Sequence, residues 1–437
     1  MKNPLTLMPL ALVVLLSACQ SPPSRAPAPA PAAPPVAAST PAPVVAAAAP
    51  PVTTATPPAP APAAPPPPPP APSVPFADAV LAAATTLFAN APLPAAGRQP
   101  VVIDPLVDGV SGIESNATRA MEERLVELMK TRYTGLSLRP FSAATVRSAP
   151  WVLIGTFTPI NAAGQAGGAK DAYRVCLALA DLGTGKIVSK GFARAQTDGV
   201  DITPTRFYQD SPTWRLESLT DGYVRTCQGT KAGDPIHPVY LDGILASAQI
   251  SEGIAAYQAG RYREALDSYR AALEMPQGEQ LRALNGVYLS LLKLRQPDAA
   301  ADAFGRIVEH GLARKRIAMR FLFRPGSVGF VGDPSVAQAY PMWIGALARQ
   351  AGRSDTCLEL VGHTSRTGPE PLNERLSLLR AEAVRNQMIA VTPTLKNRTI
   401  ANGVGSRETL VGLGTDDLRD ALDRRVVFSV SGCPAPQ

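Results

Sequence analysis

The chain has 437 residues, a formal net charge of +7, 18% charged residues and 5% aromatic residues. That length exceeds one ordinary domain. The charge is modest and no Lys/Arg block is interleaved with aromatics, so nucleic acid is excluded as an expected partner and phosphate-bearing lipids or polymers are left as non-specific ones.

Residues 1–19 carry a basic Lys2, an apolar stretch over residues 5–16, and then Leu16-Ser17-Ala18-Cys19. The stretch is too short to span a bilayer comfortably. It resembles a bacterial lipoprotein signal with its lipobox, which implies that residues 1–18 are removed and that Cys19 becomes the lipidated first residue. A plain secretory signal that contains a cysteine is the competing reading. Gln20 follows the cysteine in place of Asp, and the sorting rule of such lipoproteins then implies an outer-membrane, periplasm-facing location. Residues 19–75 are almost wholly Pro, Ala, Val, Ser and Thr, with Arg25 as the only charge and six successive prolines over residues 65–70. Such a tract cannot build a core and is expected to be a disordered linker. Its reach would be roughly 40 Å as a coil and about 170 Å as polyproline II.

Residues 76–239 read as an α/β domain. Val101-Val102-Ile103 and Trp151-Val152-Leu153-Ile154 are buried-strand runs, and residues 116–133 form an amphipathic helix with Met121, Leu125, Leu128 and Met129 inward. Residues 173–180 and 186–193 alternate about Asp181-Leu182-Gly183-Thr184-Gly185, a hairpin pattern. The order of these elements is faintly similar to the periplasmic domains of the CsgG, FlgO and LpoB lipoproteins. Gly164, Gly167 and Gly168 precede Lys170 but fail a phosphate-loop reading. No Ser or Thr follows the lysine, and the segment links two strands instead of a strand and a helix.

Residues 240–314 turn helical and carry a repeat. Ala265, Tyr269 and Ala272 recur 35 residues later as Ala300, Phe304 and Ile307, with Gly253 earlier in the first copy. This resembles tetratricopeptide repeats, which implies a concave face for protein partners; a generic pair of helical hairpins is the alternative. Two copies are few for a free-standing fold, so packing against a neighbouring domain is expected.

In residues 315–437, the segment 317–323 reads as a strand, 343–350 as a helix, and Cys357-Leu358-Glu359-Leu360-Val361 as a second buried strand. Pro369 and Pro371 place the next helix start near Leu372. Leu372, Leu376, Leu379 and Ala383 are then expected to face the sheet, with Asn373, Ser377 and Arg380 as a second, polar stripe. That stripe suits either a ligand carboxylate or a solvated face. Gly362-His363-Thr364-Ser365-Arg366-Thr367-Gly368, followed by Asn373, Leu376-Ser377, Arg380-Ala381 and Val384, resembles the OmpA-like peptidoglycan-binding motif. The resemblance implies a βαβαβ fold that grips the diaminopimelate of the stem peptide. Arg380 would take the carboxylate, Asn373 and the loop residues Thr364 and Ser365 would assist, and Arg424 and Arg425 would close the pocket. Two positions depart from the family. Ser365 stands where an acidic residue is usual, at a cost on the order of 1 to 2 kcal/mol to ammonium binding unless Asp423 or Glu370 compensates, and Asp423 stands where Asn is usual.

Four cysteines besides Cys19 fall two per domain, and locality favours Cys176 with Cys227 and Cys357 with Cys433 among the three pairings. No CxxC or close His pair favours zinc, and no cofactor is expected. A Ser365–His363 hydrolase has no evident oxyanion loop, so the chain is not expected to be an enzyme. The sequence therefore describes a multi-domain α/β protein: a disordered Pro/Ala linker, an N-terminal α/β domain, a short TPR-like helical region and a C-terminal OmpA-like domain. The implied role is an outer-membrane lipoprotein that binds peptidoglycan, tethers the envelope and scaffolds partner proteins. The alternative is a regulator of a peptidoglycan synthase similar to LpoB, or an envelope assembly factor.

Overall fold

The computed structural model describes residues 72–94, 97–166, 170–321, 323–324, 326–330, 338–353, 357–410, 414, 420, 423–431 and 433. Cys19 and residues 19–71 of the Pro/Ala-rich tract lie outside these.

Ala, Leu and Phe at helical spacing make the first element, α1 (Phe76–Ala89), whose buried side is Ala79, Val80, Ala83, Ala84, Leu87 and Phe88. There follow β1 (Gln99–Ile103), β2 (Val107–Asp108), α2 (Asn116–Thr131), β3 (Leu136–Arg139), α3 (Ala143–Val146), β4 (Trp151–Ile160), β5 (Ala172–Asp181) and β6 (Lys186–Ala195). Ser115 and Thr118 cap α2 reciprocally, each side chain accepting from the other's backbone N–H. The expected hairpin is β5–β6, and its turn is held by the Asp181 carboxylate accepting from Gly183 N–H at 2.8 Å. The glycine-bearing loop before Lys170 joins antiparallel β4 and β5; Gly167 and Gly168 lie outside the described residues.

The strands assemble in the order β3-β1-β4-β5-β6, with β2 also on β4, and β1, β2 and β3 run parallel to their partners. Because successive strand residues point to opposite faces, Val101, Leu153, Val175 and Leu177 meet α1 and α2. Their neighbours Val102, Val152, Cys176 and Ala178 meet the other layer. That second layer contains α5 (Ser218–Gln228), which follows the short α4 (Arg206–Asp210), and the first half of α6 (Pro238–Gln258). Cys176 and Cys227 are disulfide-bonded, tying α5 to β5.

The second half of α6 enters a different core with α7 (Tyr262–Leu273), α8 (Leu281–Lys293) and α9 (Pro297–Ala313). The repeat residues Ala265, Tyr269, Ala272, Ala300, Phe304 and Ile307 are all buried there. Gly253 lets the Tyr269 ring lie flush on α6; a Cβ at Gly253 would sit 2.7 Å from that ring.

The remaining elements are β7 (Arg316–Arg320), α10 (Tyr340–Arg353), β8 (Cys357–Gly362), α11 (Glu370–Val391), β9 (Thr399–Gly403) and β10 (Arg425–Ser431). They form a sheet in the order β7-β10-β8-β9, with β10 antiparallel to both neighbours and β8 parallel to β9. The expected βαβαβ order gains a strand, β9. Its sequence, Thr-Ile-Ala-Asn-Gly, buries Thr399 and exposes Ile400, which inverts the usual apolar-inward pattern. Trp343 of α10 stacks on Phe304 of α9 with ring centroids 5.7 Å apart, and its N–H donates to the Tyr288 hydroxyl at 2.7 Å. The helical region thus packs on the C-terminal sheet as expected, and one apolar core runs from Ile113 and Phe207 through the helices to Phe428. At the outer side of β7, Thr213 bridges Met319 and Trp214 N–H donates to the Ala318 carbonyl at 3.2 Å. Cys357 and Cys433 form the second disulfide.

Two expectations about α11 are corrected. It begins at Glu370, because Pro371 occupies the first turn, where a missing N–H costs nothing. Its inward face is Asn373, Ser377, Arg380, Ala381, Val384 and Met388, whereas Leu372 and Leu379 are 64% and 40% exposed. No helix among the described residues is long and apolar enough to cross a membrane.

Candidate functional site

The register of the C-terminal sheet brings four chain segments to one edge. Gly362, the last residue of β8, lies opposite Gly403 of β9 and Val426 of β10, while Arg425 lies opposite Arg320 of β7. The ends of β7, β8 and β9 and the start of β10 therefore meet. This is the edge where the loops between strands and helices of an α/β sheet collect ligand-binding groups.

Two glycines let α11 settle onto this edge. A Cβ on Gly362 would lie 1.9 Å from the Ser377 carbonyl oxygen, and one on Gly403 2.4 Å from Leu378 N. Neither position tolerates a side chain without displacing the helix. The close approach turns the polar stripe inward. The Ser377 hydroxyl accepts from Gly405 N–H at 2.9 Å and donates to the Glu374 carbonyl at 2.7 Å. The Asn373 amide donates to the Gly368 carbonyl at 3.3 Å, closing the motif loop onto the first turn of α11.

Arg380 is 2% exposed. Its guanidinium lies over the Phe323 ring, 4.8 Å from the centroid, and donates to the carbonyls of Ser327 and Arg324, both at 3.2 Å. Thr364 and Ser365 are buried in the loop after β8, and Thr364 N–H donates to the Gly405 carbonyl at 2.9 Å. His363, 1% exposed, donates its backbone N–H to the Arg425 carbonyl at 3.0 Å, and its ring nitrogen is 3.9 Å from the Glu408 carboxylate. Arg424 and Arg425 are 7% and 6% exposed, and the Arg425 guanidinium donates to the Glu408 carbonyl at 3.1 Å. All six residues named from the sequence thus stand on the elements that meet here. The two acids named as substitutes for the family's acidic residue hold the loop after β9. Glu370 accepts from Ser406 and faces Arg407, and Asp423 accepts from Leu410 N–H at 2.5 Å.

The site borders the α/β region. Lys170 is close enough to Asp420 and Arg366 to feel both charges, and Leu410 shares a small cavity with Phe157 and Tyr173. The motif signalled neither this contact nor Phe323, Gly405 and Glu408, since those residues lie outside its span. Chemically, buried guanidinium groups on one sheet edge suit a ligand carboxylate.

No family model and no curated protein matches the chain. Solved structures do. An outer membrane protein from Borrelia burgdorferi B31 is 23% identical, covers 26% of this chain and 86% of its own, and has a TM-score of 0.21. The peptidoglycan-associated lipoprotein from Burkholderia pseudomallei is 20% identical, covers 28% of this chain and 93% of its own, and has a TM-score of 0.23. The cell wall anchor of the T6SS from Pseudomonas aeruginosa is 21% identical over 27% of this chain and 80% of its own, with a TM-score of 0.22.

Proposed function

We propose that the protein binds peptidoglycan non-covalently at the edge of its C-terminal sheet and acts as an envelope tether, without turnover. The observation that carries this reading is the buried Arg380 guanidinium within a near-complete OmpA-like motif, donating to two backbone carbonyls, which are weaker acceptors than a ligand carboxylate. Asn373 and Thr364 shape the loop, and Arg424 and Arg425 supply further positive charge. Ser365 is a neutral acceptor for the ligand's ammonium and makes for a weaker grip. In this scheme Cys19 carries the lipid in the outer membrane, residues 19–75 span to the wall, and residues 76–314 serve protein partners.

The test is co-sedimentation of the full chain with purified diaminopimelate-type sacculi. The wild type is expected to pellet, Arg380→Ala to lose affinity by about tenfold or more, and Ser365→Asp to bind more tightly. Equal pelleting of Arg380→Ala and wild type, or a wild type that stays in the supernatant, would overturn the reading.

A further inference from the structure

A cleft between α2 and the C-terminal half of α6 borders a buried carboxylate to which no described residue supplies a donor. It is a cavity of about 410 Å3, with Glu114, Arg119, Glu122, Ile254, Ala255 and Gln258 among its walls. A second lobe of about 340 Å3 shares Arg119, Glu123 and Gln258. Glu114 is only 7% exposed, yet among the described residues no hydrogen-bond donor reaches its carboxylate, which borders the cavity. The neighbouring groups hold partners of their own, except the Arg282 Nε and the Tyr208 hydroxyl. Asp104 accepts from the Tyr240 hydroxyl at 2.7 Å, Arg119 donates across the cleft to Gln258 at 3.0 Å, and Arg282 donates to Gln280 at 2.9 Å and Ser247 at 3.3 Å. Across the two lobes three carboxylates, those of Glu114, Glu122 and Glu123, face the guanidinium groups of Arg119 and Arg206, with Asp104 and Arg282 close to Glu114.

A buried carboxylate without a donor is costly, and a cation with N–H groups removes that cost. Among the described residues no group of three acidic, His or Cys side chains is placed to hold a metal ion. The volume of the main lobe suits an organic ligand, and Ile254 and Ala255 offer an apolar wall for its chain. We propose that this cleft binds a linear alkyl polyamine, with one ammonium on Glu114 and Glu122 and another on Glu123, which borders both lobes.

Burial raises Glu114 to about 7 and shifts Glu122 upward. Asp104 and Glu122 add to that rise, while Arg119 and Arg282 oppose it and Tyr208 lies close by. Since the ammonium pairs with the ionised form, binding is expected to tighten as pH rises through 7.

Calorimetric titration of spermidine into the full chain tests the site, with choline as a cation lacking N–H donors and trilysine as a peptide-borne ammonium. Spermidine is expected to bind near one-to-one, choline not to bind, and Glu114→Gln to weaken spermidine by about tenfold or more. Glu122→Gln gives an independent loss if Glu114→Gln melts early. No heat with spermidine, unchanged affinity in both variants, or binding of trilysine alone would each overturn the proposal. The sacculus assay reads a different site, so either result stands without the other.

Discussion

Asp104 shows how one residue couples this fold to pH. Burial pushes its carboxyl from 3.8 up to about 7, only partly offset by the hydrogen bond from Tyr240 and the charge of Arg282. Glu114 rises for the same reason from 4.5 to about 7. Between roughly pH 4 and 7 the folded chain then holds more protons at these positions than the unfolded chain, so their contribution to stability is full below pH 4 and is lost as pH rises through 7. Asp104→Asn keeps an acceptor for Tyr240 and carries no charge to bury. It is expected to flatten this decline and to raise stability at pH 8 by on the order of 1–3 kcal/mol, read from urea midpoints at pH 5 and pH 8. An equally steep decline in the variant would show that the proton is held elsewhere. Nothing in the local sequence around Asp104 announces this. Its neighbours Tyr240 and Arg282 arrive from more than a hundred residues away, whereas Gly362, Asn373 and Arg380 sit within one short motif and were legible through its resemblance to a known family, spacing alone having left a solvated face open.

At the scale of the element, α11 shows where periodicity succeeds and where it fails. The two stripes were recognisable, but the rule that apolar stripes turn inward assigned them to the wrong sides. The sheet edge that α11 covers ends in Gly362 and Gly403, whose lack of side chains leaves room for backbone and small polar groups. Ser377 fills that room and Arg380 reaches the carbonyls beyond it, so the leucines are left outside. Leu372→Gln and Leu379→Gln are accordingly expected to change unfolding free energy by no more than about 0.5 kcal/mol. Met388→Ala, at a fully buried position, is expected to cost about 2–5 kcal/mol. Chemical denaturation of the three variants decides the phase; a large loss at Leu372 would contradict it. In the first sheet β1 and β4 were legible from apolar runs and β5 and β6 from alternation, while the short β2 and β3 were not, nor was α1, since its alanine-rich sequence continues the composition of the tract before it.

At the scale of the whole molecule, the shared core matters more than the sequence landmarks between regions. Helix α6 packs its first half on the α/β sheet and its second half among the helices, and the same apolar cluster continues into the C-terminal sheet. Contacts of this extent make separate unfolding of the helical and C-terminal regions unfavourable. Trp214 and Trp343 both pack in that cluster. Variants retaining only one of them are expected to report the same urea midpoint by fluorescence; an earlier transition at Trp343 alone would show that the C-terminal sheet unfolds by itself. The disulfide pairs were legible because each couples cysteines in the same region, but the strand orders were not, since order depends on contacts between distant segments.

The bridge between Thr213 and Met319 has a consequence for self-association. Residues 213–214 occupy the outer side of β7 at Ala318 and Met319, so that margin of the C-terminal sheet is obstructed at the middle of the strand. Among the described residues β9 pairs with β8 alone. A sheet with two open margins can recruit copies of itself without limit, the geometry of fibres. With one margin obstructed, any strand addition at β9 is expected to end at a pair instead of growing into a filament.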